Sequence, residues 1–473
     1  MFTEVRGTAR RGRTTRRMGA GFLALALAGA GVAACGDDDD DGDTGAEETT
    51  APDATDDTTD DTTDDTTDDA PAPSDDAGAE LVSLLGLSDD DVALCADETL
   101  RAGAVLALTG PGAFYGTTMS RGIDLGVKHI TEAGGMTFDI EYHDHRSGDP
   151  VASQQAITEL GEAGFGAKFA SYNDGLGAML EGTANYEVFT FDGGGGTSLF
   201  AQSQPFFYGT RAITPNDAVP GLVQYITEAM PEMQTVGMVV WDLGEPVNSI
   251  IRDDLVADIE AAGLEFNGLY ELSPVGSQDY SQILPRIQSN EPDVIFAGLW
   301  GQDIGSFVNQ ASVAGLDSQI FSFEFTPDGI NAAGGAFESE GFWFAYDFFE
   351  PTETSSDFAD FFVTEFEAEY GELPDFYAAN YYEDVLGMWD VARRVCAEGG
   401  DINSGAELEA AFRADPVLQS VYGGDGAEVG TKEINLENHS VAQRPMGVFE
   451  YNADGVTVHA LFDMDAEGFE LVD

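Results

Sequence analysis

"AVLALTGPGAFYGTTMSRGIDLGVKHITEAGG", residues 104–135, decides how this chain folds. Its first part, Ala104–Gly110, is a short apolar run ended by Gly-Pro-Gly, the length and composition of a buried strand. From Thr117 onward Met119, Ile123, Leu125, Val127 and Ile130 recur at helical spacing, and Gly134-Gly135 stop the run. A strand, a glycine turn and a helix form the repeating unit of a parallel sheet covered by helices.

The unit recurs downstream. "FDIEYHD" reads as a strand, and "PVASQQAITELGEAG" as a helix opened by Pro and closed by Gly. "AKFAS", "EVFTFDG" and "PFFYGT" follow as short strands. The pattern then restarts at "TVGMVVWD" (235–242). "LEFNGLYEL", "DVIFAGLW" and "QIFSFEF" alternate there with helical stretches 248–263, 279–290 and 303–315. After Gly341 come the strand "FWFAYDFF", helices over 357–371 and 378–396, and a terminal hairpin, 446–463, turning at "NADG". Two such series predict an α/β protein of two doubly wound, Rossmann-like lobes.

In open α/β sheets ligands bind beyond the carboxyl ends of the strands. That rule points to "TGPGAFYG" (109–116), "SYND" (171–174), "DGGGGTS" (192–198), "WDLGEP" (241–246), "LWGQD" (299–303) and "EFTPDG" (324–329). "TGPGAFYG" lacks the GxGxxG spacing, and no Lys-Ser or Lys-Thr follows, so it is not a nucleotide loop. It reads as a turn that presents Tyr115 and free N–H groups. "DGGGGTS" reads as a backbone cradle for a ligand carboxylate, with a mobile loop as the alternative. The pair His143 and His145 lacks further metal ligands, so it reads as a solvated loop and no metal is expected. No nucleophile–base constellation is visible, so no enzyme is expected, and no cofactor. The aromatics Tyr115, Tyr172, Trp300, Tyr381 and Tyr382, with the acid Glu324, suit a small zwitterion in a cleft.

Charge narrows the partners. The chain has 473 residues, 19 Lys and Arg against 87 Asp and Glu, and a formal charge of −68. Nucleic acid and anionic lipid surfaces need the opposite sign. At the N-terminus Arg10, Arg11, Arg13, Arg16 and Arg17 precede an uncharged apolar run, Met18–Ala34. This is a signal-peptide core rather than a spanning helix. Val32-Ala33-Ala34-Cys35 resembles a bacterial lipobox, whose Cys carries diacylglycerol. The alternative is an ordinary signal with a chance cysteine. Arg16-Arg17 hints at twin-arginine export, which "MGAG" fits poorly. Cleavage before Cys35 removes six Arg and one Glu and carries the charge from −68 to −73. The Asp-, Thr- and Pro-rich stretch that follows is too polar to fold, so residues 35–97 read as a disordered stalk. Asp37, Asp39, Asp41, Gly42 and Glu48 match an EF-hand loop by composition alone, with no flanking helices. Cys95 and Cys396 remain as one disulfide or as two separate buried thiols.

From Ala104 onward the chain resembles the branched-chain amino-acid (Liv-type) substrate-binding proteins of ABC importers. The resemblance is carried by "LTGPGAFYGTTMSRGIDLGVKHITEAGG", "DIEYHDHRSGDPVASQQAITEL", "FVNQASVAGL" and "YGELPDFYAANYYEDVLGMWDVA". It implies two lobes, 98–219 with 347–435 and 220–346 with 436–473, joined by three crossing strands and closing like a clamp. It also implies ligand contacts at Tyr115, at Ser171, Tyr172 and Asn173, at the small-residue loop Gly193 to Gly195, at Trp300, at Glu324 (opposite a ligand ammonium) and at Tyr382. Two departures stand out. Gly195 replaces a Thr common in relatives, with Thr197 two residues on, and Trp300 is a bulkier wall. Relatives of this kind bind amides, urea and aromatic acids as well as Leu, Ile and Val. The implied protein is a monomer, exported and lipid-anchored at the outer face of the cytoplasmic membrane or in the periplasm. It captures a small amino-acid-like ligand for an ABC permease. The competing reading is a sensory receptor domain of the same fold.

Overall fold

The first five strands are β1 (Thr99–Leu106), β2 (Thr137–Asp144), β3 (Ala167–Ala170), β4 (Phe189–Asp192) and β5 (Phe207–Gly209). The next five are β6 (Thr235–Trp241), β7 (Glu265–Ser273), β8 (Val294–Gly298), β9 (Gln319–Ser322) and β10 (Phe342–Asp347). The last six are β11 (Val417–Asp425), β12 (Glu428–Asn435), β13 (Ser440–Val441), β14 (Pro445–Asn452), β15 (Gly455–Asp463) and β16 (Glu470–Leu471). The computed structural model describes residues 76–171, 173–195, 203–211, 216–352, 354–464, 466 and 468–472. These all belong to one contact unit. The leader, Cys35, the EF-hand-like match and the stalk up to residue 75 lie outside the described residues, as do Tyr172 and Thr197.

Two eight-stranded sheets form two lobes. The first runs β11-β12-β13-β5-β4-β3-β1-β2, the second β16-β15-β14-β10-β9-β8-β6-β7. Within each, the five chain-order strands are parallel and lie in the same order, second-first-third-fourth-fifth. The same supersecondary plan is therefore used twice. Parallel strands covered on both faces are buried along their whole length, as β3, β4 and β8 are, and this explains the continuous apolar run of β8. The C-terminal hairpin pairs Asn452 with Gly455 across the expected turn.

The chain passes between the sheets three times: after β5, after β10 and between β13 and β14. Each crossing carries one buried charge: Arg211, Asp347 and Arg444 respectively. Arg211 grips Asp347 with 2.7 and 3.1 Å bonds. Arg444 and Lys432 share Glu383, each contributing a bond of 2.7–2.8 Å, and Lys432 also reaches Asp384 at 2.9 Å. Three cations thus meet three anions in the interior, the condition under which buried charge is tolerated.

One boundary differs from the sequence reading. Residues 77–97 are not part of a disordered stalk. Helices Ala77–Leu84 and Asp89–Ala93 pack on the first lobe, with Leu81 fully buried and Gly78 against the backbone of Glu132 and Ala133. Two of the segment's acids act as caps: Asp76 accepts from Ala79 N–H, and Asp91 forms a capping box with Ser88. Cys95 is joined to Cys396 in a disulfide with Cα atoms 5.8 Å apart, which pins this segment to the end of helix Phe376–Ala397.

Candidate functional site

Between the first and third strands the order in which strands are added reverses, and that switch point is where a crevice opens. Tyr115 and Ser171 follow β1 and β3, Gly193–Gly195 and Arg211 follow β4 and β5, and Trp300 and Glu324 follow β8 and β9.

Tyr115 sits in the first turn of helix Ala113–Glu132. The glycines of that helix allow close approach. A Cβ at Gly116 would lie 2.1 Å from the Ala107 carbonyl oxygen, and one at Gly122 would lie 2.3 Å from that of Ala378. The helix therefore lies backbone to backbone against Phe376–Ala397. Asp375 caps that second helix at Ala378 N–H (2.8 Å) and accepts from the Thr118 hydroxyl at 2.7 Å. These contacts bring the Tyr115 and Tyr377 rings edge to face at 5.1 Å.

Both hydroxyls point at Glu324. Tyr115 donates to Oε2 at 2.7 Å and Tyr377 to Oε1 at 2.9 Å, while Gly301 N–H donates to Oε2 at 2.9 Å. Gly301 opens helix Gln302–Ala314, whose N-terminal end favours an anion. Glu324 is 1% exposed. Burial pushes its carboxyl above the usual range, opposed by these three donors and by the Arg211 charge. Arg211 Nη1 reaches Tyr377 Oη at 3.4 Å and the Gly194 carbonyl at 3.3 Å, which links the acid to the first crossing. Burial also works against the charge of Asp347, but Arg211 overcomes it and holds that carboxyl below its ordinary range.

The first-lobe wall gathers Ser171, Tyr381 and Gly193. Tyr381 donates to the Ala170 carbonyl, and a Cβ on Gly193 would lie 2.7 Å from Asp384 Oδ2 and 3.1 Å from Tyr381. Gly195 has a φ of +83°, which glycine adopts without strain. The N–H of Gly194 is engaged within its own loop, at 3.0 Å from Asp192 Oδ1. On the second lobe half-buried Trp300 packs on Trp241 at 4.9 Å, and Trp241 Nε1 donates to Asp303 at 2.8 Å. Burial lifts the Asp303 carboxyl to about 6.

The structure therefore brings Tyr115 together with Glu324, and Ser171 with Gly193. Asn173 opens the helix Asn173–Tyr186. Tyr382 belongs elsewhere. Its hydroxyl bonds His129 Nδ1 at 2.9 Å, and its ring packs on Phe362, inside the first lobe. The physical reason is helical phase. Tyr381 is four residues past Tyr377 and shares its face, whereas Tyr382, five past, does not. His145 also departs from expectation, since it is fully buried beside Ser171 rather than solvated. Tyr377 and Arg211 were missed. The signals for them were the i, i+4 relation to Tyr381 and a rare cation just past a strand end. Among the described residues no group of three or more His, Cys, Asp and Glu side chains is placed to hold a metal ion, and no helix is long and apolar enough to cross a membrane.

Two α/β lobes, three crossings and a polar focus between strand ends define a clamp-type binding protein. The chain belongs to the periplasmic binding protein family, whose description matches residues 99–456. The family and fold are those of non-enzymatic, extracytoplasmic solute-binding proteins that serve transporters. The Leu/Ile/Val-binding protein homolog 4 of Brucella abortus is 24% identical over 272 residues, which take in 54% of this chain and 64% of that relative. A leucine-binding protein of Thermotoga maritima superposes with a TM-score of 0.66 at 17% identity, covering 76% of this chain and 98% of the other. An ABC-transporter solute-binding protein from R. palustris in complex with benzoate superposes at 0.62 and 19% identity, covering 77% and 96%.

Proposed function

We propose that this protein is the solute-binding component of an ABC importer. It is anchored through lipid on Cys35 and captures a small amino-acid-like ligand, a branched-chain amino acid or a related amine or amide, as the lobes close. The observation that carries this reading is Glu324, a second-lobe carboxylate buried where two first-lobe tyrosine hydroxyls converge. A closed cleft stabilises such a charge best when a cation comes with the ligand. Aromatic surfaces at Tyr115, Tyr377 and Trp300 suit the apolar part of the cargo.

A second reading draws on the same aromatic walls. Glu324 already holds three donors, so an aromatic acid or amide that makes no demand on it also fits, whether the protein delivers its ligand or senses it. A thermal-shift screen against amino acids, amides, urea and small aromatic acids, followed by calorimetry, separates the two. A hit that raises the melting temperature by mass action and weakens in Glu324→Gln supports the amine reading. An aromatic-acid hit indifferent to that change replaces it.

A further inference from the structure

We infer that His145 is a positioning residue for the cleft: it holds the Ser171 hydroxyl so that the first-lobe wall offers a ligand a hydrogen-bond donor. The backbone fixes the direction of the first bond in the chain. Gly148 N–H points at His145 Nδ1 at 2.9 Å, so Nδ1 accepts and carries no hydrogen. A neutral imidazole then has its one N–H on Nε2. Nε2 lies 3.4 Å from Ser171 Oγ and so donates to it. With a donor already on its oxygen, Ser171 has its own hydrogen to give to an acceptor. Beside it the Tyr381 hydroxyl spends its own hydrogen on the Ala170 carbonyl.

The neutral form follows from surroundings. His145 is fully buried, and burial lowers its pKa to about 4, with its own backbone, Asp144 and the Ser171 backbone opposing. Asp144 itself is occupied by Thr109 and by the N–H groups of Leu108 and Arg146. An imidazolium here would lose the Gly148 bond to Nδ1, because both ring nitrogens would then be donors, and leave that N–H only the His145 carbonyl at 3.2 Å.

The consequence is a polarity for the cleft. Ser171 stands just past β3, at the switch point of the first lobe. A ligand that takes its hydrogen must present an acceptor, such as a carboxylate or carbonyl oxygen. Glu324, on the other lobe, is an acceptor when ionised. A zwitterion or amide acid therefore enters in one orientation, with its acid end to Ser171 and its donor end to Glu324. This orientation rests on the amino-acid reading above, whereas the tautomer of His145 does not.

The test is nitrogen-15 NMR of the histidine side chains in the full chain at neutral pH, with His145 assigned by loss of its signals in His145→Gln. The expected result is a protonated-type Nε2 and an unprotonated-type Nδ1, with the Nε2–H signal displaced in Ser171→Ala. An Nδ1–H tautomer, an imidazolium, or a signal that ignores Ser171→Ala overturns the proposal. Calorimetry with L-leucine adds a second reading. His145→Gln keeps a side-chain N–H donor and is expected to bind within a few-fold of wild type. His145→Leu has none and is expected to lose about tenfold or more, the size of one lost hydrogen bond to a charged group. Equal affinities in the two variants would also overturn it. If wild type ignores L-leucine, the amino-acid reading fails, and the NMR result still decides the tautomer.

Discussion

The hydroxyl of Tyr115 donates to Oε2 of Glu324 at 2.7 Å, joining the two lobes across 209 positions of sequence. Tyr377 makes the matching bond to Oε1 from the same side. Both tyrosines ride on first-lobe helices, and Glu324 follows a second-lobe strand. The acid is therefore a latch between the lobes as well as a candidate ligand contact. An entering ammonium would take up lone-pair space on Oε1, which carries one of these bonds.

Replacing Glu324 with Gln keeps the size and removes the charge. Affinity for an amine-bearing ligand is expected to fall by about ten- to a hundredfold, the worth of a hydrogen bond to a charged group. Unfolding stability should change by no more than about 1 kcal/mol, because relief of carboxylate burial offsets weaker tyrosine bonds. Calorimetry and denaturant melts on the same preparation check both halves.

The double variant Tyr115→Phe, Tyr377→Phe removes two interlobe hydroxyls and leaves the rings. The ligand-free protein is expected to spend more time open, which small-angle scattering reads as a larger radius of gyration. Wild type and variant should converge once saturated with ligand. An unchanged ligand-free radius would show that the hydroxyls do not hold the lobes together.

Arg211 and Asp347 tie two of the three crossings together in the interior. Removing one partner strands the other charge, so Arg211→Met and Asp347→Leu should each cost about 3–5 kcal/mol. The double variant is expected to recover a good part of that loss, since no buried charge is then left unpaired. A double-mutant cycle by denaturant unfolding measures the coupling.

The parallel strands were legible because both of their faces are buried, so β6 and β8 read as nearly unbroken apolar runs and β3 and β4 carry Phe169, Phe189 and Phe191 with few polar breaks. β12 was not. Its inward positions are Gly430, Lys432 and Ile434, so burial alternates while hydropathy does not. The helix Ala77–Leu84 was hidden among flanking acids, of which Asp76 serves as its N-cap. Position after a strand was enough to single out Tyr115, Ser171, Trp300 and Glu324, which follow β1, β3, β8 and β9. The tyrosines in "FYAANYY" needed the helix's rotation, which Gly122 and Gly126 set through tertiary contact with Ala378 and Val385. Sequence spacing alone could not choose among Tyr377, Tyr381 and Tyr382.

The disulfide between Cys95 and Cys396 closes a loop of 301 residues. Non-reducing peptide mapping should recover the two cysteines in one linked peptide. Changing both to Ala is expected to cost about 2–4 kcal/mol, chiefly by freeing the unfolded chain. Ligand affinity should stay near wild type, since the bond sits at the far end of helix Phe376–Ala397 from Tyr377. A large loss of affinity would mean that the N-terminal segment influences the cleft.

Lys168 gives the fold a pH signature of its own. It is fully buried on β3, its ammonium 2.9 Å from the Thr183 hydroxyl. Burial lowers its pKa from 10.5 to about 7, with Asp192 opposing. Between those two values the unfolded chain binds more protons than the folded one, so this group makes stability rise with pH across that window. Below about pH 7 both states are protonated and the full penalty stands. Lys168→Met keeps the apolar stem and removes the charge. The variant is expected to be more stable than wild type near pH 7, by about several kcal/mol at most, and the gap should shrink steadily toward about pH 10. Denaturant midpoints across that range decide it. A gap that stays constant with pH would trace the difference to packing rather than to the buried ammonium.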